Sequence, residues 1–392
     1  MSDAPPQRPT ASISELACNV CSCAQLEGVG DVGLRPTSVT SDSRLSSVAV
    51  RLLVCKACGH LQKHPNGLEQ AAVDRIYAAY DPHYLSDGRE QLTFPPGLPP
   101  RTRTRHVFEK CRTLLPERGR LLDVGTGHGA VLRTARQLLG DWELYGYDVG
   151  ELHRAEIEAL PGVVGFWSGD LANLPPIQFD AVVLWHVLEH IAEPVDILRA
   201  LCRKLSPSGI VIIQVPALER NAFDLAVTDH VSHFTWQGLE RVAALAGFRV
   251  VVDGRDWVHN CHSLLLRAGG VPSRTDQYDS TGEWAAAWLQ RGLEEVVHAV
   301  GMDEYAMFGT GMAGLWLTTQ FDRRPAFLVE EDAARVGKDV EGIPVIAPAD
   351  LPDGLPVVMA FMPSSGHLIA TRLRETCPGW SDRRIIVFPA AQ

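Results

Sequence analysis

Four cysteines near the start of the chain have the spacing of a metal site. Cys18 and Cys21 lie in the segment CNVC, and Cys55 and Cys58 lie in CKACG. Two such turns, brought together, offer four thiolates in the tetrahedral arrangement that suits a closed structural Zn²⁺ site. The segment SSVAVRLLVC (46–55) predicts a strand that returns the chain to the second turn. The pattern therefore predicts a zinc ribbon, and the alternative is a set of four buried free thiols.

A glycine-rich loop follows in the segment RLLDVGTGHGAVLRTA (120–135). The apolar run RLLDV (120–124) predicts a buried parallel strand, and AVLRTARQLL (130–139) predicts a helix. Gly125, Gly127 and Gly129 allow the backbone to approach a ligand closely and to adopt positive φ angles. Dinucleotide sites use similar loops, so the loop alone leaves the ligand open.

Further acidic residues stand at the ends of the next predicted strands. The strand in WELYGYDV (142–149) ends at Asp148, where a carboxylate can accept hydrogen bonds from both hydroxyls of a ribose. The segment VGFWSGDLANLP places Asp170 and Leu171 at the following strand end. The segment FDAVVLWHVLEHIAEP (179–194) predicts a fourth strand that leads into a helix. Any one of these aspartates would fit a helix cap or a surface acid, but the set in register favours a ligand site.

Together these segments resemble the class I methyltransferases that use S-adenosylmethionine, over about residues 105–265. The resemblance implies an α/β, Rossmann-like sheet whose last strand is antiparallel. It also implies that the glycine loop lies against the methionine part of the cofactor, with Asp123 near its amino group. Asp148 would then hold the ribose, Asp170 the adenine amino group, and Trp185 would form a wall of the cofactor pocket.

A third unit is predicted near the end of the chain. Residues 305–351 predict a strand, a glycine loop, a helix and two further strands, which is the pattern of a small Rossmann-like unit. Its loop, FGTGMAG, lacks the glycine spacing of a nicotinamide-dinucleotide site, so we expect a structural role or contact with a substrate phosphate. The predicted division of the chain is a flexible leader (1–14), a zinc-binding domain (15–75), a methyltransferase domain (76–268) and a C-terminal Rossmann-like domain (285–392).

This order of three units resembles the C-methyltransferases that act on nucleotide-linked 4-keto sugars. Three segments are similar to segments of that family: YDPHYLSDG (80–88), DHVSHFT (229–235) and WVHNCHSLLLR (257–267). The resemblance implies that His230 is the base that removes a proton beside the ketone. It further implies that Asp229 orients His230 and that Tyr84 contacts the substrate. His186, at the end of the predicted fourth strand, is a further candidate for substrate contact.

The chain also departs from that family. Asp229 stands where the family usually has glutamate, Val227 stands where it often has tyrosine, and the C-terminal loop lacks the usual lysine. A hydroxyl, an amine or another small natural product therefore stays open as the acceptor. His190 is expected to have a structural role at the cofactor edge, and His233 is expected to pack in the interior.

Composition limits the remaining possibilities. The 392 residues are 46% hydrophobic and 21% charged, and no apolar run approaches the ~20 residues of a membrane span. The start of the sequence lacks a signal peptide, so we expect a cytoplasmic protein with no membrane partner. A net charge of −11 works against nucleic-acid binding, which disfavours an rRNA methyltransferase with a zinc module. An inactive scaffold that keeps the fold is the other alternative.

We therefore expect an S-adenosylmethionine-dependent methyltransferase with a structural zinc ion. The expected partner is a small molecule, most simply a nucleotide-linked 4-keto sugar of a bacterial sugar or natural-product pathway. The sequence leaves the oligomeric state open.

Overall fold

The computed structural model describes residues 16–64, 90–93, 97–171, 174–269 and 277–390. The predicted leader (1–14) and Tyr84 lie outside these ranges. Within them, the chain forms three sheets of four or more strands. None of the helices in these ranges is both long enough and apolar enough to cross a membrane.

The front unit is built around the four cysteines. Its strands are β1 (Leu26–Asp31), β2 (Ser38–Val39), β3 (Leu45–Ser46), β4 (Arg51–Cys55) and β5 (Leu61–Lys63). β4 pairs antiparallel with both β1 and β5, and β2 pairs with β3. Residues 52–55 of β4 are all buried, and Leu52 and Val54 contribute to a core shared with the C-terminal unit. The predicted strand over 46–55 is therefore present in its second half, as β4.

The central unit alternates strands and helices. Two short strands, β6 (Leu92–Thr93) and β7 (Arg101–Thr102), precede it. Its further strands are β8 (Arg120–Val124), β9 (Glu143–Asp148), β10 (Val163–Ser168), β11 (Phe179–Trp185), β12 (Leu205–Pro216), β13 (Ser232–His233), β14 (Phe248–Asp253) and β15 (Cys261–Ala268). Its helices are α1 (Arg103–Cys111), α2 (Ala130–Leu139), α3 (Arg154–Glu158), α4 (Pro194–Cys202) and α5 (Trp236–Leu245).

Seven of these strands form one sheet in the order β10-β9-β8-β11-β12-β15-β14. β15 runs antiparallel to both of its neighbours, and the other pairs along the sheet are parallel. Adjacent residues of β8 bury their side chains on opposite faces, Leu121 against α1 and α2 and Leu122 against α4 and α5. The predicted Rossmann-like core with an antiparallel last strand is confirmed. The carboxyl ends of β8, β9 and β11 meet at the edge where such sheets bind ligands.

The C-terminal unit has a second, smaller parallel arrangement. Its helices are α6 (Thr281–Val300), α7 (Met312–Thr318) and α8 (Pro363–Thr376), and its strands are β16 (Ala306–Phe308), β17 (Phe327–Val329), β18 (Asp339–Val340), β19 (Ile343–Ile346), β20 (Val357–Met359) and β21 (Ile385–Ile386). The strand order is β18-β19-β17-β16-β20-β21, with only the β18–β19 pair antiparallel. The boundary predicted at residue 285 falls inside α6, because this helix already begins at Thr281.

The three units share structural elements. Strand β13, which belongs to the central unit by sequence, pairs with β5 and completes the front sheet. Residues 218–226, which follow β12, pack on the C-terminal unit: the ring of Phe223 lies 5.0 Å from Phe388 and 6.1 Å from Trp288. The chain after β12 is therefore fixed by both flanking units, and this chain carries the histidines discussed below.

Candidate active site between the central and C-terminal units

The loop after β8 has the backbone shape that its glycines predict. Gly125, Gly127 and Gly129 have φ angles of 72°, 49° and 78°, a region that side chains with a Cβ rarely adopt. A Cβ on Gly125 would lie 2.4 Å from a methyl group of Val187, so this position has no room for a side chain. The loop therefore exposes its backbone at the edge of the sheet.

Asp123 lies beneath this loop without a hydrogen-bond partner. Its carboxylate is 1% exposed, and neither oxygen accepts a hydrogen bond. Burial, with a smaller contribution from the charge of Asp148, raises its pKa well above the usual range. A buried carboxylate without a partner is costly, because its desolvation is not offset. An ammonium group in the neighbouring cavity would supply the missing donor, so this residue fits the amino group of S-adenosylmethionine.

The other predicted cofactor residues occupy different environments. Oδ2 of Asp148 accepts a hydrogen bond of 2.9 Å from the backbone N–H of Gly127, which ties the end of β9 to the glycine loop. Asp170 is exposed and Leu171 is half-buried beyond the end of β10. Trp185 is half-buried at the end of β11 and lines the cavity. The predicted contacts of Asp148 with the ribose and of Asp170 with the adenine stay predictions, as does the role of Trp185 as a wall of the cofactor pocket.

His230 forms a buried pair with an aspartate. Its Nδ1 lies 2.7 Å from Oδ1 of Asp224, and the other oxygen of Asp224 lies 2.7 Å from Nδ1 of His233. Burial lowers the pKa of His230, but the charge and hydrogen bond of Asp224 outweigh it and raise the pKa above the usual value. The same histidines hold the pKa of Asp224 below its usual range despite burial. With Nδ1 bonded to Asp224, the neutral ring of His230 has its lone pair on Nε2.

The prediction that Asp229 orients His230 is wrong in this structure. Both oxygens of Asp229 accept hydrogen bonds from Ser41, at 2.8 Å from its backbone N–H and 2.5 Å from its hydroxyl. The backbone carbonyl of Asp229 lies 2.9 Å from Nδ1 of His190, whose ring packs edge-on against His230 at 4.7 Å. Asp229 lies in a turn and bonds to the front unit, whereas the adjacent His230 bonds to Asp224.

The front unit holds this segment in position. The backbone N–H of Lys63 donates to the carbonyl of Val231 at 2.9 Å, and Nε2 of His60 lies 3.2 Å from the hydroxyl of Ser232. The ammonium group of Lys63 also donates to the carbonyl of Val227. His233 is thus more than a packing residue, because it hydrogen-bonds to Asp224 from the strand that completes the front sheet.

His186 lines the same cavity as His230. It follows β11 with a φ of 54°, a strained value for a residue with a side chain. Its Nδ1 lies 3.1 Å from Oε1 of Glu189, and its Nε2 lies 3.7 Å from Sγ of Cys261. Burial lowers the pKa of His186, whereas Cys261 and Glu189 raise it, and the net result is about 10.

One cavity of about 760 Å³ joins these groups. Asp123, Gly125, Gly127 and Trp185 line it on the cofactor side, and His186, Glu189, Asp224 and His230 line it beside them. The C-terminal unit closes it with the glycine loop of residues 309–311 and with Arg335. Ligand sites in proteins have volumes of about 300–1,000 Å³. The cavity is therefore large enough for a small molecule that contacts both units.

Two acids of this cavity, Asp224 and Glu189, are absent from the predicted site. Asp224 lies six residues before His230 in an irregular 3₁₀ segment, where sequence spacing does not indicate which side chains meet. Glu189 lies three residues after His186. An acid beside a histidine in the segment LEH was the sequence signal that could have indicated Glu189 as a site residue. Tyr84, predicted to contact the substrate, lies outside the described residues.

The four predicted zinc ligands form a separate cluster. Sγ of Cys18 lies 3.7 Å from Sγ of Cys58, and Sγ of Cys21 lies 3.5 Å from Sγ of Cys55. All four sulfur atoms lie within 4.8 Å of one another. Four thiolates around a tetrahedral Zn²⁺ at about 2.3 Å would be separated by about 3.8 Å. The cluster therefore fits a structural zinc ion, and these sulfur atoms are too far apart for disulfides.

Comparison with known proteins gives the family. A family model described as a methyltransferase domain matches residues 100–252. A ubiquinone biosynthesis O-methyltransferase of Xanthomonas campestris is 30% identical over 172 residues, which are 42% of this chain and 69% of that enzyme. The chain therefore belongs to the methyltransferase-domain family.

Other relatives match shorter stretches. The enzyme of the same name from Pseudomonas syringae pathovar tomato is 33% identical over 115 residues, 28% of this chain and 49% of its own length. The chain thus spans about half the length of that relative. Among solved structures, the CcbJ methyltransferase from Streptomyces caelestis has a TM-score of 0.36 and 18% identity, covering 43% of this chain and 94% of its own.

Proposed function

We propose that this enzyme transfers a methyl group to a carbon atom beside the ketone of a small, nucleotide-linked sugar. The observation that carries the proposal is the single cavity shared by the cofactor loop, the Asp224–His230 pair and the C-terminal glycine loop. A nucleotide-linked sugar needs protein contacts at its sugar and at its nucleotide. The central and C-terminal units both line the cavity, so each can contact one of these two parts.

The cofactor is held by residues at the carboxyl ends of β8 to β11, beside the glycine loop. Asp123 accepts from the amino group of the methionine part, and Asp148 accepts from the ribose while it braces Gly127. Asp170 and Leu171 border the adenine, and Trp185 closes the side. Bound S-adenosylmethionine supplies a methyl group already activated by a sulfonium, so the chain's own task is to align the acceptor and to remove its proton.

His230 is the base. A carbon beside a ketone becomes a nucleophile only after it loses a proton, and a positioned histidine contributes about 10²- to 10⁴-fold to such a step. Asp224 fixes the ring through Nδ1 and stabilises the imidazolium that forms when Nε2 takes the proton. His186 lines the same cavity and contacts the acceptor. Tyr84 is proposed as a further acceptor contact on the resemblance alone.

The four-cysteine cluster is proposed to hold one structural Zn²⁺. Its role is indirect, because the front sheet that it stabilises includes β13, which carries His233. Zinc in such closed sites keeps no open position for a substrate. The metal therefore maintains the position of the histidine segment and takes no part in the transfer.

The test is methyl transfer from labelled S-adenosylmethionine to a panel of nucleotide sugars that carry a 4-keto group. We expect label in at least one ketone and none in the matched sugars in which a hydroxyl replaces the ketone. Nuclear magnetic resonance of the product then shows a methyl group bonded to carbon. Labelling of the hydroxyl sugars alone would contradict the proposal.

Methylation of a hydroxyl is the second candidate, and the similarity to ubiquinone biosynthesis O-methyltransferases favours it. In that case His230 would take the hydroxyl proton by the same geometry. A parallel panel of phenols and catechols distinguishes the two. Label in these compounds, with none in any ketone, would establish O-methyl transfer and exclude the carbon acceptor.

A further inference from the structure

A thiol lies in the cavity beside the groups that activate thiols in other proteins. Sγ of Cys261, the first residue of β15, lies 3.7 Å from Nε2 of His186 and 4.0 Å from a guanidinium nitrogen of Arg103. Cys261 is 1% exposed to bulk solvent, but it lines the cavity. Sγ of Cys261 also donates to the side-chain oxygen of Asn260, at 3.6 Å.

His186 is itself held by a carboxylate. Oε1 of Glu189 lies 3.1 Å from Nδ1 of His186, which leaves Nε2 directed at the sulfur. Glu189 is 1% exposed, and its second oxygen, Oε2, has no hydrogen-bond partner although it lies in the cavity wall. A thiol, an imidazole and a carboxylate in this order form the arrangement that generates a nucleophile: the base takes the thiol proton, and the acid orients the base.

Two basic groups lie beside the sulfur. One is the guanidinium of Arg103, and the other is the imidazole of His186, whose pKa is raised to about 10 because Cys261 and Glu189 outweigh the effect of burial. The thiolate is the reactive form of cysteine, and an imidazole in contact with the sulfur is the group that can take its proton. The strained backbone of His186, with a φ of 54°, keeps the imidazole at this position at an energetic cost.

We infer that Cys261, His186 and Glu189 form a covalent-addition site for conjugated carbonyl compounds that enter the cavity. The sulfur forms a bond to the β-carbon of the compound, and the electron pair of the carbon–carbon double bond moves toward the carbonyl. The proton that His186 took from the thiol returns to the α-carbon. The net reaction adds the thiol across the double bond, and it needs no oxidant or further reactant.

The test uses N-ethylmaleimide, a small conjugated imide, on the full-length wild-type protein at neutral pH. Mass spectrometry of peptides follows the modification of each cysteine over time. Cys202 and Cys377 are matched controls in the same chain, because both are half-buried and burial raises the pKa of both thiols. We expect Cys261 to react at least ~10-fold faster than either control, because His186 is placed to take its proton.

Two variants assign the effect to its cause. His186→Gln keeps a polar side chain but removes the base, so the rate at Cys261 should fall to that of the controls. Arg103→Gln removes the second cation from a half-buried position and should give a smaller decrease. Binding of S-adenosylhomocysteine to each variant verifies that the central unit is folded.

The inference is overturned if wild-type Cys261 reacts no faster than Cys202 and Cys377, or is not modified at all. It is equally overturned if Cys261 keeps its full rate in a folded His186→Gln variant. These results are independent of the identity of the methyl acceptor, because the assay contains no methyl donor and measures no methyl transfer.

Discussion

The two sides of the cavity differ in how their carboxylates are satisfied. On the cofactor side, both oxygens of buried Asp123 lack a partner. On the acceptor side, both oxygens of buried Asp224 bond to histidines at 2.7 Å. An unpaired buried carboxylate has a desolvation cost that a ligand's donor can offset, whereas a fully paired one orients its neighbours. The first side therefore suits the proposed binding of the cofactor's ammonium group, and the second suits the proposed removal of a proton.

The two sides also differ in what supports them. The cofactor side is formed by consecutive strands of one sheet, β8 to β11. The acceptor side is formed by the chain after β12, which is fixed by the front sheet through β13 and by the C-terminal core through Phe223. Damage to the flanking units should therefore abolish methyl transfer and leave cofactor binding intact.

Removing zinc should have the largest effect. A structural zinc ion contributes about 10 kcal/mol or more to the folding of a small domain, so Cys55→Ser should disorder the front unit. We expect methyl transfer to be lost while calorimetry still detects binding of S-adenosylhomocysteine. Cys23→Ser is the matched control, because Cys23 lies in the same segment outside the four-sulfur cluster. Wild-type protein that contains no zinc in elemental analysis, or a Cys55→Ser variant with full activity, would contradict this role.

Replacing the two acids near His230 should separate their roles. The pKa of His230 is raised because the effect of Asp224 exceeds that of burial, so Asp224→Asn should lower that pKa. A base works only in its neutral form, so the reaction slows when the pH is below the pKa of the base. The acidic limb of the profile of kcat against pH should therefore move to lower pH, and kcat should fall on the order of 10²-fold.

Asp229→Asn is the control for this comparison, since Asp229 bonds to Ser41. Its effect on the acidic limb should be smaller than that of Asp224→Asn. The reverse order of the two variants would restore Asp229 as the orienting residue.

Asp123→Asn should have the smallest effect on catalysis and opposite effects on binding and stability. The folded-state pKa of Asp123 lies above its ordinary value. Its contribution to stability is therefore favourable at low pH and is lost as the pH rises through the folded pKa. At neutral pH the variant without ligand should have a higher Tm than the wild type.

The same variant should bind S-adenosylhomocysteine more weakly, by about 1.5–3 kcal/mol, because it loses a hydrogen bond to a charged group. Asp170→Asn serves as the stability control, since Asp170 is exposed and its replacement should leave the Tm unchanged. A lower Tm for Asp123→Asn would mean that the carboxylate has a partner within the protein.

The sequence predicted the cofactor side in detail and the acceptor side only in outline. The strand RLLDV and the helix AVLRTARQLL were predicted with the bounds that the structure has, because each has a clear apolar periodicity and the glycines separate them. The pairing of His230 with Asp224 was missed because it depends on an irregular segment that the C-terminal core holds in place. The partner of Asp229, Ser41, lies 188 residues away in the front unit, and no local pattern could indicate that contact.

The central claim is that His230 removes a proton from a carbon atom, and hydrogen exchange tests it most directly. The proposed acceptor, a 4-keto nucleotide sugar, is incubated in D₂O with S-adenosylhomocysteine in place of the methyl donor, and deuterium uptake beside the ketone is followed by nuclear magnetic resonance. We predict enzyme-dependent exchange in the wild type and a decrease of at least ~10²-fold in His230→Gln, with unchanged binding of S-adenosylhomocysteine. Exchange at the wild-type rate in a folded His230→Gln variant, or no exchange in the wild type, would contradict the claim.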